Sequence, residues 1–200
     1  MKIWPLIVSM MFVTAVNAQT PYAGMQTRSI KALSDQQIAD LQAGRGMGLA
    51  LAAELNGYPG PSHVLELADK LGLSADQRAG VQRQFDSMKA EAVPLGSRLI
   101  EQESDLDKQF ANRTVTAESL KTSVEAVAAT QGILRETHLK YHLSTGAILS
   151  PSQMLKYAEL RGYGGATSTT IDAAGRIAKG NSFTGPLGLL CISQRCPDGS

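Results

Sequence analysis

The sequence predicts an all-α protein: a long antiparallel helical hairpin with shorter flanking helices, and a disordered tail at its C-terminal end. Three observations carry that reading. Two long stretches repeat apolar residues at spacings of three and four, the period of a helix face. A short pattern, L-S-x-x-Q, occurs three times where helices should begin. No stretch reads as a strand. The apolar residues are mostly Leu, Ala, Val and Ile, with aromatics at only 5%, a composition suited to helices packed side by side.

Each element follows in order. Residues 1–18, MKIWPLIVSMMFVTAVNA, read as a signal peptide: Lys2 gives a basic start, an apolar run follows, and Val16-Asn17-Ala18 supplies small residues for cleavage. The run is too short for a stable membrane span, and no later segment reads as one. The expected organisation is a signal peptide over 1–18, a helical domain over 19–163, and a Gly/Ser/Thr-rich tail over 164–200. The mature chain is expected in the periplasm, beginning near Gln19. Lys2 is one of 19 basic residues, so its removal leaves the chain balanced against 18 acidic ones. That balance argues against nucleic acid as the main partner.

The three L-S-x-x-Q copies are Leu33-Ser34-Asp35-Gln36-Gln37, Leu73-Ser74-Ala75-Asp76-Gln77 and Leu149-Ser150-Pro151-Ser152-Gln153. Each is a capping box. The hydroxyls of Ser34, Ser74 and Ser150 accept from an early helical N–H, and Gln37, Gln77 and Gln153 reach back to the serine backbone. Pro151 falls at the first helical position, where its missing N–H costs nothing. Glycine stops appear in Leu55-Asn56-Gly57-Tyr58-Pro59-Gly60 and Leu160-Arg161-Gly162-Tyr163-Gly164-Gly165. These signals predict helices over 34–56, 61–71, 75–111, 116–147 and 151–161.

The third of these would span roughly 55 Å at 1.5 Å per residue. Val81, Phe85, Met88, Ala92, Leu95, Leu99, Leu106 and Phe110 form its stripe; Leu120, Val124, Val127, Leu134, Tyr141 and Ile148 form the stripe of the fourth. Facing seams of this kind predict a hairpin turning at Asn112-Arg113-Thr114-Val115, with Thr116 as the next cap. Pro94 is expected to kink the third helix. Cys191 and Cys196 lie in the tail, able to close only a small local loop, and their spacing is not that of a redox motif.

The chain has three histidines, His63, His138 and His142. His138 and His142 bracket the stretch HLKYH, one helical turn apart on one face, a spacing that lets two imidazoles share an ion. A naive hairpin register sets His142 opposite Phe85 and His138 opposite Lys89, and the same folding-back of helix 61–71 sets His63 opposite Gln84. All three rings then fall in one neighbourhood, with Met88, Glu66 and Glu91 as further candidate ligands. Against this stands the reading of His138 and His142 as ordinary helix histidines. Gly44-Arg45-Gly46-Met47-Gly48 lacks the strand and the Lys-Ser/Thr of a phosphate loop, and its glycines read instead as close packing or a helix break. The acidic run Glu101, Glu103, Asp105 and Asp107 reads as a solvated face. No nucleophile motif is present, and the chain is expected not to be an enzyme.

The L-S-x-x-Q copies opening helices behind a signal peptide resemble the LTxxQ-motif periplasmic family: the Spy/CpxP-type chaperones and the related heavy-metal-resistance and sensor proteins. The resemblance covers roughly residues 33–163, with Ser in place of the usual Thr. It implies a curved, often dimeric helical cradle without enzymatic activity. In the metal branch it implies binding of a divalent ion such as zinc, nickel, cobalt or copper. In the chaperone branch it implies an ATP-independent grip on unfolded clients, for which Leu99, Leu106, Phe110 and Val127 are the candidate surface. The expected function is a stress or heavy-metal-resistance protein that binds or senses a divalent metal; the alternative is the chaperone.

Overall fold

The computed structural model describes residues 22–163 and two short segments, 169–171 and 177–179. The signal-peptide reading of 1–18 and most of the tail fall outside the described residues. A 3₁₀ turn over Met25–Thr27 leads into seven helices: α1 (Asp35–Gln42), α2 (Leu51–Glu54), α3 (Pro61–Glu66), α4 (Ala68–Leu71), α5 (Ala75–Ala111), α6 (Ala117–Gly146) and α7 (Pro151–Leu160). The chain is all-α in character, built on the long antiparallel pair α5 and α6. The reading of no strands needs one correction. Thr169–Ile171 (β1) pairs antiparallel with Ile177–Lys179 (β2), Thr170 opposite Ala178.

All three L-S-x-x-Q copies start helices as capping boxes. Ser34, Ser74 and Ser150 accept from the backbone N–H of Gln37, Gln77 and Gln153, and each glutamine side chain accepts from its serine N–H. The sequence did not reveal that two of these boxes join. Gln77 Nε2 donates to Gln153 Oε1 at 2.9 Å, and Gln153 Nε2 donates back to Gln77 Oε1 at 3.0 Å. The paired amides also reach the carbonyls of Ile148 and Leu71, so the starts of α5 and α7 are tied to each other and to the turns before them. Thr116 caps α6 in the same manner with Ser119, after a turn in which Arg113 takes φ 55°.

Two expected helices are broken. The stretch 34–56 stops at Gln42 and resumes only at Leu51. Between them Gly44, Met47 and Gly48 take φ values of 65°, 43° and 82°, a left-handed backbone no α-helix contains. The stretch 61–71 divides at Leu67, whose backbone (φ −102°, ψ 8°) leaves the helical well. Helix α5 continues unbroken through Pro94. On α6, Ser144 meets Gln84 within one residue of the naive register, whereas Tyr141 meets Glu91 and Ser123 meets Gln109 a few residues away from it.

The core divides in two along the hairpin. Ile30, Leu33, Leu41, Ala92, Leu99, Val127 and Leu134 form a cluster toward the turn. Val64, Leu71, Val81, Leu149 and Tyr157 form a second at the open end. Fully burying each large aliphatic side chain contributes about 1.5–3 kcal/mol, so both clusters hold the short helices on the long pair. Helix α1 crosses α5 at Gly96 so closely that a Cβ there would stand 2.3 Å from the Leu41 carbonyl oxygen. Gly96→Ala therefore collides with backbone, and the gain in helix propensity does not offset it. Urea unfolding is expected to show a loss of about 1–3 kcal/mol; equal or greater stability would refute the close crossing.

Candidate functional site

Between the two clusters the hairpin carries polar side chains where apolar ones would be expected. His138 and His142 project from α6 at i and i+4, only 2% and 8% exposed. Met88 (6% exposed) and Phe85 lie on the facing stretch of α5. The broken segment 43–51 and the start of α3 close over them. The result is a pocket of about 590 Å³ lined by His63, His138, His142, Met88, Glu66 and Glu54, with Phe85, Lys89, Leu51 and the glycine segment completing the wall.

Each histidine is held differently. His142 Nδ1–H donates to the Tyr58 carbonyl at 2.7 Å. A carbonyl only accepts, so Nδ1 carries a proton, and the neutral ring in this tautomer has its lone pair on Nε2. That Nε2 edge lies against Gly60, where a Cβ would stand 2.7 Å away; this glycine is required for close approach. Tyr58 is aimed by the glycine stop of α2, with Gly57 at φ 86° and the Tyr58 N–H returning to the Ala53 carbonyl. His138 packs against Gly46, and its Nε2 is buried with no hydrogen-bond partner among the described residues. Burial, and then the nearby His142, lowers the His138 pKa from its ordinary value, so the ring is neutral at pH 7. His63 lies in the first turn of α3, with Nδ1 3.4 Å from Glu54 Oε1 and the side chain 39% exposed.

Glu54 is the residue the sequence reading missed. It ends α2 and is 5% exposed. Its carboxylate accepts from Tyr157 Oη at 2.5 Å, Tyr163 Oη at 3.1 Å and the Gly60 N–H at 3.3 Å. Arg161 Nε lies 3.5 Å away and His142 Nδ1 3.7 Å away. Burial pushes the pKa up, but the contacts from His63 and Tyr157, followed by Tyr163, outweigh it and bring the carboxyl to about 2. The Tyr157 hydroxyl is pushed up, by burial first and by the Glu54 bond second.

The other candidates divide. Glu66 is on the pocket rim, where it accepts from Ser62 Oγ at 3.3 Å. Glu91 is elsewhere: it pairs with Lys140 and accepts from Tyr141 Oη at 2.7 Å, locking α5 to α6. Of the client-binding candidates, Leu99 and Val127 are buried in the turn-side cluster. Leu106 is half-buried and Phe110 is 54% exposed, so the four do not share one open surface. Among the described residues, no group of three or more His, Cys, Asp or Glu side chains is set to hold a metal ion as it stands. No described helix is long and apolar enough to cross a membrane. No family model, curated protein or solved structure matches the chain.

The Glu54 pKa fixes a sign. A carboxyl held near 2, against an ordinary value of 4.5, stabilises the fold above pH 4.5. That contribution, on the order of 3 kcal/mol, is lost as the pH falls from 4.5 toward 2. Chemical unfolding across this window is expected to show a steeper loss in the wild type than in Glu54→Gln. Parallel pH profiles would remove Glu54 as the source.

Proposed function

We propose that the chain is a non-enzymatic periplasmic stress or heavy-metal-resistance protein that binds a divalent transition metal in the histidine pocket. The observation that carries this reading is the His138 ring: its Nε2 is buried with no hydrogen-bond partner among the described residues, and the residue lines a cavity together with His63, His142 and Met88. Leaving such a group unpaired costs about 1–3 kcal/mol, which a ligand would offset. Imidazole and thioether donors together suit zinc, copper, nickel or cobalt. Binding requires an adjustment of the side chains, and the half-exposed His63 is the one with room to make it. The LTxxQ resemblance belongs to this proposal as its family context.

The chaperone alternative draws on a different observation. Phe110, Leu120 and Val124 are exposed on the turn-side halves of α5 and α6, away from the pocket, and would offer unfolded clients apolar side chains. The two readings use different parts of the hairpin and separate experimentally.

Calorimetric titration of the full chain with zinc, nickel, cobalt and copper is expected to show one ion per chain. His138→Ala combined with His142→Ala is expected to abolish that binding, and affinity should fall with pH as the rings protonate. Binding that survives in the double variant would remove this pocket. Absence of binding in the wild type would remove the metal reading and leave suppression of client aggregation as the next assay.

A further inference from the structure

Glu54 faces both the pocket and helix α7. On the pocket side, its two oxygens stand 3.4 Å from His63 Nδ1 and 3.7 Å from His142 Nδ1. A carboxylate only accepts, so it favours a proton on Nδ1 of His63 and leaves that ring's Nε2 for a ligand, while the His142 Nδ1 proton goes to the Tyr58 carbonyl. Metal-binding histidines are commonly held in this manner, their second nitrogen donating to a carboxylate or a carbonyl. On the other side, the same carboxylate is gripped by Tyr157 from α7 and by Arg161 and Tyr163 from the turn that ends it.

Helix α7 is therefore attached at two separate points. Its start is fixed to α5 by the Gln77–Gln153 pair, which has no part in the pocket. Its end is fixed to Glu54. The connection from His63 through one carboxylate to the end of α7 is continuous and short.

We propose that Glu54 is a positioning residue for His63, and that through Tyr157, Arg161 and Tyr163 it makes metal binding and docking of the C-terminal end of α7 favour each other. This rests on the metal reading above. Reciprocity is required thermodynamically: if a docked α7 end improves metal affinity, the metal stabilises the docked end by the same factor.

The test is zinc titration of the full chain with amide hydrogen exchange, on the wild type, on Tyr157→Phe/Tyr163→Phe and on the milder Tyr163→Phe. Both phenylalanine changes keep the ring and remove only the hydroxyl, so helix content by circular dichroism is expected to hold. In the wild type, zinc is expected to slow exchange about tenfold at the amides of Arg161, Gly162 and Tyr163, which close the end of α7. The Met154 amide at its start is expected to stay unchanged. The double variant is expected to bind zinc about tenfold more weakly and to lose the zinc-dependent protection, with Tyr163→Phe intermediate in both. A purely structural role for the tyrosines would change protection equally with and without zinc, and would overturn the proposal. Zinc binding of equal strength in all three proteins, with α7 exchange unmoved, overturns it and leaves the metal reading standing. Exchange that speeds up with zinc overturns it too, because the metal would then be drawing Glu54 away from the tyrosines. Absence of zinc binding in the wild type removes both readings together.

Discussion

The Glu54 carboxylate is the group on which the site side of this fold depends. It is buried and charged, and an isolated charge in such a position is not tolerated. Four parts of the chain meet to satisfy it: the Gly60 N–H before α3, His63 on α3, Tyr157 on α7, and Arg161 and Tyr163 beyond α7. Removing one partner leaves the others holding an undercompensated charge, so these segments stand or fall together. A buried polar network is weak evidence of high stability, because apolar packing of the same volume does as well. What it supplies here is position. Only one placement of α7 brings Tyr157 to Glu54 while the Gln77–Gln153 pair holds the other end.

Much of the frame was legible because it is written locally or periodically. The capping boxes at Ser34, Ser74 and Ser150 are four-residue signals that need no tertiary context, and all three start helices. The bounds of α5 and α6 follow from an apolar stripe and a turn. The break after Gln42 was harder to read. Apolar residues continue through it, and the glycines at 44, 46 and 48 were ambiguous between packing and breaking. Both apply: Gly44 and Gly48 have left-handed backbone, while Gly46 lies against His138.

The grouping of the histidines was legible for the same reason as the hairpin. Two of them lie on one stripe, and a folded-back chain brings the third near. Glu54 was not, because the side chains that grip it most closely, Tyr157 and Tyr163, come from the far end of the described chain and nothing local announces them. The Gln77–Gln153 pair was equally hidden. Each glutamine is fully explained by its own cap, and only the assembled fold shows that its amide has a second use. Glu91 shows the converse error. Distance along the stripe placed it near the pocket, but a shift of a few residues in register gave it Lys140 and Tyr141 instead.

The division of the core explains why a pocket exists at this level of the hairpin. Toward the turn, Ala92, Leu99, Val127 and Leu134 close the α5–α6 seam with aliphatic side chains. At the open end, Val81 and Leu149 do the same with α3, α4 and α7. Between them the seam carries His138 and His142, and the covering chain narrows to glycines at 46 and 60 that admit the rings at contact distance. Leucines at 138 and 142 would have joined the two clusters into one and added burial. The chain forgoes that contribution, leaves an imidazole nitrogen without a partner among the described residues and lays glycines at 46 and 60 against the rings. A sequence whose caps, stripes and turns all agree with its fold departs from that agreement here, and such departures mark the place where a protein is shaped for something other than its own stability.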